Sequence, residues 1–259
     1  MNREELEKFA VDERLIPGIY NYCDRWCERC PQTSRCLNFA MSEKEFADPE
    51  TRDIRNEAFW RKLSEIFKET LELLRETGKK WGIDLDALDS VSDAESRRVN
   101  DEAVENHVIC RAAKGYSKMV ENWFRGREEL FIETAALVIE GVDAKEAFEV
   151  IRWYQYFIGV KIARAIRGKI EEEEERNEEV ASDADGSAKI ALIAIDRSIG
   201  AWTVISRYNH LYAESVSEII SVLNLLRQAI EETFPRARSF IRPGFDDLDL
   251  NVMVSGRES

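Results

Sequence analysis

The stretch AFEVIRWYQYFIGVKIARAIRGKI, residues 147–170, decides the fold. It shows no convincing alternation at period two and contains no proline, so it reads as a long helix and not as a strand. Asp143 stands where an N-cap belongs, and Glu146 three residues later gives the spacing of a capping box. Downstream the helix is expected to run toward EEEEERNEE, residues 171–179, whose like charges find no partner nearby in sequence and suit a solvated helix end or a link.

Working outward, SDADGS at residues 182–187 offers several side chains able to cap a following helix, which is expected to run to about Tyr208. That helix holds the most apolar run of the chain, AKIALIAIDRSIGAWTVI, residues 188–205, with Asp196 and Arg197 at its middle. Charges so placed are costly in lipid, so a buried core helix is expected there and no membrane span. A last helix from about Tyr212 to Phe234 puts Val216, Ile219, Ile220, Leu223, Leu226 and Ile230 on one side, with Pro235 as its stop.

Upstream, RGREELFIETAALVIEG, residues 125–141, reads as a shorter helix ended by Gly141. A helix is expected from near Asn100 through Val104, Val108, Ala112, Tyr116, Met119 and Trp123. Another is expected from Arg55 to Trp81, with Phe59, Leu63, Ile66, Phe67, Leu73, Leu74 and Trp81 recurring at helical intervals and Gly82 ending it. The class is all-α: an antiparallel bundle of four to five long helices over residues 55–234, a leader over 1–54 and an irregular tail over 235–259.

The leader carries the chemistry. YCDRWCERCPQTSRC, residues 22–36, holds Cys23, Cys27, Cys30 and Cys36, four of the five cysteines. The opening residues lack the apolar core of a secretory signal, so the expected compartment is the cytoplasm. In a reducing compartment clustered thiols point to metal or redox chemistry and not to structural disulfides. Two ligand sets fit four thiolates. One is a structural Zn(Cys)4 site, which usually joins two knuckles across a longer loop. The other is a [4Fe-4S] cluster wrapped by one short continuous loop. Only two residues separate Cys27 from Cys30, and this compactness favours the cluster, for electron transfer or redox sensing. Zinc, merely fixing the leader of an interaction or regulatory protein, is the alternative. Arg25, Arg29 and Arg35 could offset the negative charge of such a centre and Tyr20, Tyr22 and Trp26 shield it; the alternative is that these arginines sit on the surface and the aromatics anchor the loop on the bundle.

Cys23, Cys27 and Cys30 share the C-x3-C-x2-C spacing of radical-SAM enzymes, but Arg29 stands where those enzymes carry an aromatic residue. No barrel strands follow, so that class is excluded.

Charge and spacing argue against other classes. With 51 acidic against 37 basic residues the net charge is −14, which repels nucleic acid and anionic membranes over most of the surface. The expected partner is an unidentified protein or redox partner. A di-iron bundle site needs Glu-x-x-His on two helices, but His107 and His210 are preceded three residues earlier by Val104 and Arg207. His107 is expected at a helix edge, His210 in the turn between the last two helices, and Cys110 as a packed thiol. A second, polar site is conceivable in the core: Asp196 there requires a partner, for which Lys161, Arg164 and Lys189 are the candidates.

Overall fold

The computed structural model describes residues 8–9, 11–83, 91–127, 138–139, 142–175, 178–208 and 212–247. The described elements are helical apart from one two-residue strand pair, and none of the helices is long and apolar enough to cross a membrane. The helices are α1 (Leu37–Glu45), α2 (Glu57–Trp81), α3 (Val91–Asn106), α4 (Val108–Phe124), α5 (Ala144–Glu175), α6 (Glu178–Tyr208) and α7 (Ala213–Thr233). Contacts divide the chain into two compact units, one of residues 1–97 together with 242–259 and the other of residues 98–241. Helix α2, read from its periodicity as part of the bundle, belongs to the first.

In the second unit α4, α5, α6 and α7 pack as a ring in which α5 touches α4 and α6, and α7 touches α6 and α4. Register gives the direction. Along α5, Tyr154 accepts from Arg197 (2.5 Å), while Arg164 further on pairs with Asp183 (3.0 Å) earlier in α6. Ser117 of α4 donates to the Gln155 carbonyl (2.7 Å) and Asp101 pairs with Arg167 (2.5 Å), so α5 runs against its neighbours on both sides. The stretch that opened the sequence reading supplies the seam: Phe148, Ile151, Tyr154, Ile158, Ile162, Ala165 and Ile166 are all buried. Their three- and four-residue spacing lays them along one face. Trp123, Phe124, Phe148 and Trp202 close one end, with the Trp123 and Trp202 rings edge to face at 4.9 Å. Asp143 caps α5 as expected, accepting from the Lys145 amide at 2.8 Å.

The structure departs from the sequence reading in four places. The helix expected from Asn100 to Trp123 is two helices, because His107 adopts an extended backbone and its Nδ1 accepts from the Ile109 amide (3.3 Å), starting α4 afresh. SDADGS lies inside α6 and not before it. There Asp183 and Asp185 are held by Arg164 and Arg236, and small side chains allow close approach, so that a Cβ on Gly168 of α5 would lie 3.1 Å from Ala184 Cβ. At the end of the segment read as a short helix, Val138–Ile139 pairs antiparallel with Val142–Asp143, in keeping with the strand preference of β-branched residues. Most of that segment, together with His210, lies outside the described residues. On α2 the apolar residues split: Leu63, Ile66 and Leu73 are half-buried, whereas Trp60, Phe67, Leu74 and Trp81 are exposed. Gly82 ends α2 in the left-handed conformation, φ 72°, as its position predicts.

Candidate metal centre

The four-cysteine segment folds as short turns threaded on backbone hydrogen bonds. The Ile16 amide donates to the Arg35 carbonyl (3.0 Å), closing the leader into a loop that carries Cys23, Cys27 and Cys30 and delivers Cys36 to the start of α1. Cys27–Arg29 and Thr33–Arg35 are single 3-10 turns, in which the Cys30 and Cys36 amides donate back to the carbonyls of Cys27 and Thr33 at 3.2 Å each. Each cysteine after the first thus follows or opens a tight turn, and side chains distant by three to six positions are aimed inward. Arg25 takes a left-handed φ of 59° between Cys23 and Cys27, an uncommon state for a residue with a Cβ, and the Asp24 carboxylate supports it by accepting from the Trp26 amide (3.2 Å).

These turns bring Cys23, Cys27, Cys30 and Cys36 to the wall of one cavity of about 20 Å³. All four are half-buried and none forms a disulfide. Ile19, Trp26 and Phe39 line the same cavity, and so does Phe245 from the opposite end of the chain. The Gln32 amide donates to Cys30 Sγ (3.4 Å), and Cys23 Sγ donates to the Tyr20 carbonyl (3.6 Å). Burial pushes the Cys27 thiol up from its ordinary value, and the neighbouring Cys23, Cys36 and Cys30 push it further in the same direction. Arg25 lines the same cavity, its guanidinium 5.8 Å from the Tyr20 ring centre, and the Arg29 guanidinium lies 4.0 Å from the Trp26 ring centre. Among the described residues, no three His, Cys, Asp or Glu side chains are already drawn together as a closed metal-ligand set.

Comparison with protein-family models, with curated proteins and with solved structures finds no match for this chain.

The second group named from the sequence does not form one site. Asp196 lies at the bundle surface, 38% exposed, and pairs with Arg238 (2.6 Å) and Arg227 (3.5 Å), not with Lys161, Arg164 or Lys189. Arg164 holds Asp183, Lys189 donates to the Phe240 carbonyl, and Lys161 is buried with its ammonium 5.4 Å from the Phe157 ring centre. The helical turn that buries Ile195 and Ala194 turns Asp196 toward the solvent edge, which removes the need for a core partner. Cys110 is buried, as a packed thiol should be.

Sequence reasoning missed Phe39, Gln32 and Phe245. Phe39 and Gln32 sit beside the cysteines and carry no signal of their own. For Phe245 the available signal was RPGF at residues 242–245, a turn within a stretch read as irregular.

Proposed function

We propose that this chain is a metal-binding helical protein whose four cysteines hold a [4Fe-4S] cluster used for electron transfer or redox sensing. The single observation that carries the reading is the convergence of Cys23, Cys27, Cys30 and Cys36 on one apolar-walled cavity. Thiolates gathered without a cation repel one another. A bound metal reverses that cost by stabilising the thiolates. Donation from the Gln32 amide to Cys30 Sγ and the arginines nearby would then tune the centre through hydrogen bonding and charge. Such a centre, held by half-buried cysteines, would be within reach of a redox partner protein.

A structural Zn(Cys)4 site in an interaction or regulatory protein is the second reading, and a specific observation favours it. A cavity of about 20 Å³ accommodates little more than a water-sized body. Against it, the compact spacing of the loop favours a cluster.

Metal analysis with an absorption spectrum on oxygen-protected protein separates the two. Broad absorbance near about 400 nm with iron and sulfide is expected for the cluster, and colourless protein with one zinc for the alternative. Cys30→Ser should bleach the first or deplete the second. Unchanged metal content in that variant, or correctly folded wild-type protein empty of iron, zinc and copper, refutes the proposal.

A further inference from the structure

The last described residues of the chain form part of the cysteine cavity. Phe245 lines it together with all four cysteines. Gly244 beside it is buried with φ +75°, and a Cβ there would come within 2.5 Å of Ile16 Cδ1 and 2.8 Å of Ile19 Cδ1. The backbone at this point therefore lies directly on the leader, over Ile19, which is 1% exposed. The turn that presents Phe245 is braced within itself. Asp246 accepts from the Arg242 amide (2.9 Å) and from its guanidinium (2.8 Å), and the Gly244 amide donates to Asp247 Oδ2 (3.1 Å). The Arg242 guanidinium lies 5.1 Å from the Phe245 ring centre.

The segment just before this hook is strapped down separately. Arg236 pairs with Asp185 (2.9 Å), Arg238 with Asp196 (2.6 Å), and the Phe240 carbonyl accepts from Lys189. Only Ile241 separates the strapped residues from Arg242.

We infer that residues 242–247 are a cover over the four-cysteine centre, and that filling of the centre and seating of the cover are thermodynamically coupled. The inference rests on the reading of the cysteines as metal ligands. Its physical basis is that the seat of the hook, Ile16 to Tyr20, belongs to the loop the sulfurs organise. Cys23 Sγ reaches the Tyr20 carbonyl, and the Ile16 amide is held by the Arg35 carbonyl next to Cys36. A metal that draws the sulfurs together fixes this loop and with it the seat of Gly244 and Phe245. Coupling is reciprocal: whatever the metal contributes to seating the hook, the seated hook contributes to retaining the metal. The state of the centre is thereby conveyed to the 242–247 turn, a property suited to a sensor.

The test uses the full chain with the metal it carries on anaerobic purification. Hydrogen exchange of the amides of residues 240–247 is compared before and after stripping that metal with a chelator, and metal release to the same chelator is timed for wild type, Phe245→Ala and Phe245→Leu. Stripping is expected to speed exchange at the hook. Phe245→Ala should bind the same metal stoichiometry but release it about tenfold faster, as for loss of an outer-shell partner, with Phe245→Leu between it and wild type. Hook amides that exchange alike with and without metal, or wild-type release rates in both variants, overturn the inference. Should Phe245→Ala fail to fold, Phe245→Leu and the exchange comparison decide the matter. Wild-type protein holding no metal sinks the four-cysteine reading and this inference together; metal without coupling sinks this one alone.

Discussion

Replacing Asp196 with alanine separates two accounts of the bundle. If this carboxylate were a core group paired with a lysine, removing it would strand a buried charge and cost about 3–5 kcal/mol, with little response to salt. The structure instead gives it two arginine partners at the surface, Arg238 at 2.6 Å and Arg227 at 3.5 Å, with side-chain exposures of 38–44% across the three residues. Exposed pairs contribute about 0.2–1 kcal/mol each. The longer contact is at the edge of hydrogen-bonding distance and deserves the lower end. The expected loss is therefore about 1 kcal/mol, moderated further because Arg238 keeps Glu231 (2.7 Å) as a second partner. For a unit of this size that corresponds to a fall in Tm of about 2–4 °C. Urea unfolding of wild type and Asp196→Ala, followed by circular dichroism at low salt and at 1 M salt, checks it. The difference should shrink at high salt, where the Debye length falls to about 3 Å. A loss above about 3 kcal/mol that persists in 1 M salt would refute the surface network and restore the buried pair.

Further outcomes follow from other named contacts. His107 starts α4 with a neutral Nδ1 that accepts from Ile109, and burial, then the Lys169 charge, hold its pKa below the ordinary 6.5. Because the unfolded chain takes up this proton first, the stability His107 contributes is complete above about pH 6.5 and is lost as pH falls from there through the depressed folded value. His107→Asn keeps a capping side chain, so denaturation midpoints measured from pH 7.5 to 5 should lose this component of their slope. In the α4–α5 seam Ser117 donates to the Gln155 carbonyl (2.7 Å) and Gln155 Nε2 donates to the Ser117 carbonyl (3.1 Å). Chemical denaturation should show a loss of about 1 kcal/mol for Ser117→Ala and a larger one, about 2–3 kcal/mol, for Gln155→Ala, which also leaves a cavity.

The helical class and several helix ends were legible because they depend on local rules. Asp143 caps a helix wherever it is placed, Gly82 ends one by adopting a left-handed backbone, and the apolar spacing of α5 and α7 points to one face without reference to partners. The break at His107 was not legible, since an imidazole is not a usual capping side chain and the apolar pattern continues across it. SDADGS misled for a related reason. Its small polar residues are good caps in isolation, yet here salt bridges to Arg164 and Arg236 and close packing against Gly168 keep them inside α6.

For the candidate centre, the sequence by itself determined that four thiols lie within one short loop whose spacing confines them to a common neighbourhood. It also determined that the long helices are amphipathic, because a period of 3.6 residues is written in the order of the side chains. Tertiary structure alone decided which residues from elsewhere complete each surface. Phe245 reaches the cysteines, and Asp196 faces Arg227 and Arg238 instead of the core lysines. Such pairings join positions far apart in the chain. They are set by how whole elements pack to bury apolar area, and no local spacing rule encodes that.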